Sequence, residues 1–561
     1  MKPQDLIAAF DTLAEAPDGV KRLRALVLQL AMRGRLVPQD PDDEPSGVLL
    51  DQARQDRARL IAEKFIRRRS AGEVQSNEQP FEIPPQWSWT RIWFAAHDLG
   101  QGKPKSRFSY VDVSAIDKER GVISGDVAIL NPEEAPSRAR KRVARGCVIY
   151  STVRPYLRNI AVVDRDFDPP PVVSTAFSVL MPYPRISARY LYYYLRSPAF
   201  VNYVEAHQKG VAYPAINDGD FQLAPVPIPP SAEQKRIVAR VDELMGLLDE
   251  LEAARQAREA TRTALRDSVL AALRDADTSE EVENAWERIA GRMDDLFTAP
   301  ADVEPLRQTV LQLAVRGWLV PQDPDDEPAC LLLERIAEEK ARLVKEQSIR
   351  KSKPLPPVSK DEVPFEVPNG WVWTRFGTIT NTRLGKMLDK AKNSGPMRPY
   401  LRNANLQWFK FLLEDLKQLR LEESELTECS VGVGDLLICE GGEPGRATVC
   451  DESVDGMVYQ KALHRARPLC GISPWYLAYL LRCDTWSGRL AELFTGATIK
   501  HLTGRSLASY TVPLPPLAEQ KRIVARVDQL MSLLDRLEQR LASKTTAHDT
   551  FAAAVVHHLD A

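Results

Sequence analysis

Arginines and side-chain amides are spaced along this chain in a way that suits gripping a polyanion better than making or breaking bonds. Arg138, Arg140, Lys141, Arg142 and Arg145 fall close together, and Arg154 and Arg158 follow in the stretch TVRPYLRN. A guanidinium is a planar fork of donors that fits a phosphate or the O6 and N7 edge of guanine. The dense cluster is expected to face phosphate, because backbone contacts position a protein on a duplex while base contacts specify. A solvated face is the alternative. Farther on, Arg402, Asn403 and Asn405 in LRNANLQW place guanine-type and adenine-type readers on one short stretch. Two glycine-led loops, GVAYPAIN ending at Asn217 and GATIKHLT ending at Thr503, carry Tyr213, Asn217, Lys500 and His501 at matching depth, where they could approach a groove.

Groups for catalysis are not assembled in the same way. No GxxxxGK[ST] phosphate loop occurs: Gly102-Lys103 runs into Pro104, and Gly385-Lys386 into Met387. The Asp168-Pro169-Pro170-Pro171 run lacks the aromatic that ends the Asp-Pro-Pro-aromatic motif of amino-methyltransferases, and no glycine-rich cofactor loop lies upstream. The 7 histidines show no His-x-x-x-His or Cys/His clustering, so no metal ligands are assigned. Glu440 and Glu443, set among glycines, read as a strand-to-strand turn rather than an acid/base pair. No catalytic, cofactor-binding or metal-binding residues are therefore expected in this chain.

The candidate contacts sit between segments that occur twice. AEQKRIVARVDELMGLLDELE at 232–252 returns at 518–538 with three changes, and LRALVLQLAMRGRLVPQDPDDEP at 23–45 returns at 306–328 with four. PFEIPPQWSWTRI at 80–92 returns as PFEVPNGWVWTRF at 364–376. A tandem duplication of one unit follows, with inserts between the copies that share almost no sequence. Within the repeat, Ile237, Val241, Leu244, Leu248 and Leu251 keep a 4-3-4-3 spacing, as do Ile523, Val527, Leu530, Leu534, Leu537 and Leu541. That heptad seam predicts long helices packed lengthwise on partner helices. Shorter helices are expected at 23–33 and 306–316, broken at Gly34 and Gly317, with further helices reaching about Arg69 and Lys351. Residues 276–300 show no seam and are expected to form a turn. The Trp87/Trp89 and Trp371/Trp373 pairs are expected on one strand face as core anchors rather than base-stacking platforms. Each insert reads as a mixed α/β domain with a curved sheet and a helix near 188–195 or 474–481.

Composition sets bounds on the reading. The chain of 561 residues has formal net charge −2, yet residues 81–230 hold 18 Lys and Arg against 14 Asp and Glu, and residues 365–517 hold 18 against 16. The inserts are mildly basic, which gives weak support to a nucleic-acid partner. The 7 cysteines form no Cys-x-x-Cys pair, the N-terminus MKPQDLIAAFDTL has no signal-peptide pattern, and no apolar run is long enough to span a bilayer. A cytoplasmic location, without membrane contact, is expected.

With its doubled LPPLAEQKRIV-type exits (227–238 and 513–524), Trp-x-Trp entries and LQLAxRGxLVPQDPxDEP segments, the whole chain resembles the specificity subunit of type I restriction-modification enzymes. Ser231 stands where the first exit would otherwise carry leucine. The resemblance implies an α+β pseudo-twofold tandem repeat with two target recognition domains separated by long antiparallel coiled-coil helices. Its expected divisions are 1–79 (N-terminal helical region), 80–230 and 364–517 (recognition domains), 231–363 (central coiled coil and linker) and 518–561 (C-terminal helix). It implies a non-catalytic chain that binds a bipartite, asymmetric double-stranded DNA target and docks two methyltransferase subunits together with restriction/translocase subunits. S-adenosylmethionine, ATP and Mg are then expected in those partners, with no cofactor in this chain. A coiled-coil interaction scaffold, or the recognition subunit of a related fused restriction-methyltransferase system, are the other readings.

Overall fold

The computed structural model describes residues 16, 18–66, 68, 72–124, 127–210, 212–276, 278–351, 353–389 and 393–560. These fall into two compact units: the described residues up to Arg258 together with those from Thr546 onward, and Glu259–Thr545. Among the described residues no helix is long and apolar enough to cross a membrane.

The first unit opens on α1 (Gly19–Met32), which buries Leu23, Val27 and Ala31. Gly34, just past its end, has φ +68°, and a Cβ there would lie 2.4 Å from Pro84 Cγ, so only glycine fits. The next helix, Ser46–Ala62, stops short of the expected end because Lys64 turns the chain with φ +58°; Arg69 lies outside the described residues.

The insert begins with β1 (Ser88–Arg91) and holds two four-stranded sheets instead of the one curved sheet expected. One orders Ala128–Leu130, Phe108–Val111, Pro171–Ser174 and β2 (Ala139–Arg142), with the 108–111 and 171–174 strands parallel. The other orders Ala96–His97, Phe177–Pro182, β3 (Val148–Ser151) and Ile160–Val162, all antiparallel. The apolar run at 172–180 looks continuous in sequence. A two-residue break at Thr175-Ala176 sends its halves into different sheets. Helices α2 (Ala188–Arg196) and Pro198–His207, then α3 (Asp218–Leu223), complete the core. The insert closes as β4 (Pro225–Ile228) pairs antiparallel with β1, Trp89 opposite Pro227. From there α4 (Ser231–Arg274) runs unbroken for 44 residues, about 66 Å at 1.5 Å per residue. Within the first unit its seam residues Ile237, Val241 and Leu248 share a core with α1 and with Ala552 near the end of the chain.

The second unit repeats this plan. The remainder of α4 buries Leu270 and Leu273. Residues 276–300 are more than a turn, for Ser279–Ala290 is a helix capped by Thr278, with Ala285 and Ile289 buried. Its apolar side is only Val282, Ala285 and Ile289, too brief to show as a heptad. Then come α5 (Val303–Arg316), Gly317 at φ +81° with a Cβ position 2.5 Å from Pro368 Cγ, and a helix at Ala329–Lys345. That helix too ends before the expected position, at Gln347 with φ +57°. The second insert starts with β5 (Val372–Arg375) and contains an antiparallel sheet ordered Thr380–Leu384, Leu463–Pro468, β6 (Leu436–Cys439) and Ala447–Val449, with a three-stranded sheet beside it. After α6 (Pro474–Ser487) and α7 (Gly504–Ser509), β7 (Thr511–Leu514) pairs with β5, and α8 (Leu517–Asp560) leaves the insert. Its seam residues Ile523, Val527, Leu530, Leu534 and Leu541 are buried in one core with α5.

Candidate nucleic-acid interface

The repeated letters turn out to be the mounting of each insert. Glu233, wholly buried at the start of α4, accepts a hydrogen bond from Trp87 Nε1 at 2.8 Å and one from Gln39 Nε2 at 2.5 Å. In the second unit Glu519 accepts from Trp371 Nε1 at 2.8 Å and Gln322 Nε2 at 2.7 Å. The neighbouring Gln234 accepts from the Ser187 N–H that begins α2, and Gln520 does the same for Ser473 before α6. Arg236 pairs with Asp43, and Arg522 with Asp326, each at 2.6 Å. Entry segment, turn and exit helix are thus pinned around Glu233, Gln234, Glu519 and Gln520, buried polar groups that must each find a partner. Burial pushes the Glu233 and Glu519 carboxyls above their ordinary values, although the hydrogen bonds from Trp and Gln pull the other way. The paired tryptophans serve as anchors, but not on one strand face: Trp87 precedes β1, whereas Trp89 lies within it against Phe81, with ring centroids 5.1 Å apart.

On this mounting each insert presents a loop pair at the same place. Past β3, Val153 bridges to Ala215, which bridges in turn to Lys209. Past β6, Gly441 bridges to His501, which bridges to Thr495. The glycines that open the second loop of each pair are required by geometry. Gly210 has φ +94° with the Tyr213 carbonyl 2.9 Å from a Cβ position, and Gly496 has φ +96° with the Ile499 carbonyl 2.2 Å away. The structure therefore brings Arg154 against Tyr213 in the first insert, with Arg158 at the other end of the same turn, and Lys500 and His501 together with Asn403 in the second. Asn403 Nδ2 donates to the Gly441 carbonyl at 2.5 Å.

The side chains at the two tips differ in kind. The first carries Arg154 and Arg158, both exposed, beside Tyr156 and Tyr213, which are 54% and 69% exposed. The second carries the ion pair of Glu443 and Arg446 at 2.6 Å, exposed Lys500, and Ile499 at 65% exposed. Sequence reasoning missed Tyr156 and Ile499 as exposed members of these tips; an apolar residue in a short run carries no sign of which way it points. Glu440–Gly445 is the strand-to-strand turn expected, linking β6 to Ala447–Val449.

Other candidates are held elsewhere. Along β2 alternate residues face opposite sides, so Ala139, Lys141 and Val143 are buried while Arg142 is exposed. Lys141 is only 6% exposed and pairs with Asp218 at 2.6 Å at the start of α3, which removes it from the basic face. Arg138, Arg140 and Arg142 remain on the outside, where Arg140 Nε donates to the Ser137 carbonyl, and Arg145 lies near Asp166. Asn217 caps α3, accepting from the Asp220 N–H at 2.8 Å. Asn405 is 2% exposed and ties its turn to the Leu412 carbonyl, and Arg402 pairs with Asp415 at 2.8 Å. Local partners have already taken the donors that a base edge would need: Lys141 donates to Asp218, Asn217 Nδ2 to the Asp220 carboxylate at 2.6 Å, and Asn405 Nδ2 to the Leu412 carbonyl.

Comparison with known proteins gives this arrangement a family. The model described as the type I restriction modification DNA specificity domain matches residues 146–259 and 368–544. The type I restriction enzyme EcoAI specificity subunit of Escherichia coli is 31% identical over 559 residues, covering 94% of this chain and 92% of that one. The chain belongs to the type I restriction-modification specificity subunits. The EcoEI specificity subunit, also from Escherichia coli, is 30% identical with 94% and 91% coverage. A solved chain from a type I restriction-modification system, 24% identical, shares the fold with a TM-score of 0.52 over 86% of this chain and 99% of its own. The two segments matched by the family model contain both loop pairs and both exit mounts; the Arg138–Arg142 face lies before the first of them. As a specificity subunit, the chain is the DNA-recognition component of its enzyme and not one of the catalytic ones.

Proposed function

We propose that the inserts at 80–230 and 364–517 are two independent readers, each taking one half of an interrupted, asymmetric DNA target. The observation that carries this is the contrast between mounting and tip. Trp87, Gln39 and Glu233 are matched bond for bond by Trp371, Gln322 and Glu519, whereas the tips they support carry Arg154 and Tyr213 in one insert and Lys500 and His501 in the other. A scaffold that fixes position and frees the contact residues is what two different half-sites on one duplex require. The outward arginines of β2 and the arginines of the first tip supply phosphate and base contacts of the kind by which proteins position and specify on DNA. The methyltransferase and restriction/translocase subunits of the same enzyme dock on this chain, in the cytoplasm, and bring S-adenosylmethionine, ATP and Mg with them; recognition is this chain's part.

Selection from random duplex DNA by the full chain in its assembled complex tests the reading. The expected result is two unrelated half-sites separated by an unspecified spacer. A palindrome, or one uninterrupted sequence, would exclude two independent readers.

A further inference from the structure

Both residues flanking the turn at the first tip, Arg154 and Arg158, sit in the left-handed region, at φ +49° and +53°. A side chain seldom adopts that backbone, and such strain gathers where the surroundings over-determine a conformation, often at ligand contacts. Here the surroundings are explicit. The Arg154 N–H donates to the Pro214 carbonyl at 2.8 Å, the Leu157 N–H returns to the Arg154 carbonyl at 3.0 Å, and the Arg158 N–H to the Pro155 carbonyl at 2.9 Å. Thr152 and Ala176 anchor the base of the turn through a 2.8 Å backbone bond. The Arg154 guanidinium rests 4.8 Å from the centre of the Tyr213 ring. Neither arginine makes an ion pair among the described residues, although carboxylates hold many of the chain's other arginines. The turn between them exposes Tyr156 and Leu157.

An arginine resting over an aromatic ring keeps its fork of N–H donors free and oriented, having given up part of its rotamer freedom before any ligand arrives. Among the described residues no ring lies under Arg158. From this asymmetry we infer that Arg154 reads a guanine, through its O6 and N7 atoms, in the half-site bound by the first insert, while Arg158 grips the adjoining phosphate. The inference rests on the reading of this insert as a DNA reader and adds the base and the residue. Tyr213 is then a positioning residue, acting through Arg154.

The test uses the full chain in its assembled complex and random duplex DNA, with binding to each selected site measured across a range of salt. Arg154→Ala should erase the preference for guanine at one position of one half-site, by about 5- to 150-fold, and leave the other half-site intact. Tyr213→Ala should weaken the same position and no other. Arg158→Ala should lower affinity for all sequences alike and reduce the slope of log affinity against log salt by about 0.9. Arg154→Gly, which accepts the left-handed backbone without strain, should hold or raise the melting temperature while still losing the guanine preference. Uniform weakening by Arg154→Ala with no position relaxed, or a relaxed position that is not guanine, would overturn the assignment. A wild-type chain that selects no interrupted site in the same assay would instead overturn the two-reader function itself.

Discussion

Replacing Glu233 with alanine should loosen the first insert from its helix, and Glu519→Ala should do the same for the second by the same amount. Each carboxylate is about 1% exposed or less and accepts from a buried tryptophan N–H at 2.8 Å. Gln39 and Gln322, the other donors, lie at the surface and can turn to water. The indole cannot, so the substitution strands one buried donor, about 1–3 kcal/mol, and opens a small cavity costing roughly another 1 kcal/mol. Part is returned because a desolvated carboxylate is removed, leaving about 1–3 kcal/mol for each variant. Glu233→Gln keeps the volume and one acceptor and should cost less. The pH dependence distinguishes the charge from the packing. Burial raises the Glu233 carboxyl above its unfolded value, so its contribution to stability is full below the unfolded pKa and is lost as pH rises through the folded one. The advantage of wild type over Glu233→Gln should therefore shrink with rising pH across that window. Denaturant unfolding, with hydrogen exchange to locate the loosened unit, measures all of this. Variants within about 0.5 kcal/mol of wild type, or an advantage that grows with pH, would refute the mounting argument.

The Lys141–Asp218 pair should behave asymmetrically: Asp218→Ala leaves a buried ammonium alone and should cost about 3–5 kcal/mol, whereas Lys141→Met should cost markedly less; equal losses in thermal unfolding would contradict the buried placement of Lys141. Replacing Arg138, Arg140 and Arg142 together with alanine should weaken DNA binding without regard to sequence and flatten its salt dependence by up to about 0.9 per lost phosphate contact, with an unchanged slope returning these arginines to a solvated face. Gly34→Ala and Gly317→Ala should each destabilise by more than about 1 kcal/mol, since the new Cβ meets a proline ring at 2.4 or 2.5 Å with φ positive; calorimetric neutrality of either would show that Pro84 or Pro368 yields freely.

Much of the framework was legible because it rests on periodicity and repetition. The heptad positions from Ile237 to Leu251 and from Ile523 to Leu541 are buried or half-buried as their spacing requires, and the glycines after the repeated helices mark where the chain turns. Duplication also singled out Trp87, Gln39 and Glu233, though not their bonding to one another, which joins residues 146 apart along the chain in the case of Trp87 and Glu233. The contact residues were less legible. Charge alone grouped Lys141 with its arginine neighbours, whereas strand alternation turns it inward to Asp218. Asn217 and Asn405 have the chemistry of base readers, yet each finds a nearer partner in its own backbone turn. A side chain's competing local partner is a matter of three-dimensional proximity, and a single sequence does not display it. The helix at Ser279–Ala290 escaped notice for a related reason, as its buried side is too short for a period to emerge.

Exchange of one insert tests the central claim most directly. Residues 80–230 are replaced by the corresponding insert of another type I specificity subunit, keeping Gln39, Glu233 and the exit helix, and the targets of parent and hybrid complexes are determined by selection from random duplex DNA. Two independent readers on identical mounts predict a hybrid that acquires one new half-site and retains the other half-site of the parent. A change in both halves, or in neither, would show that the inserts do not read separately.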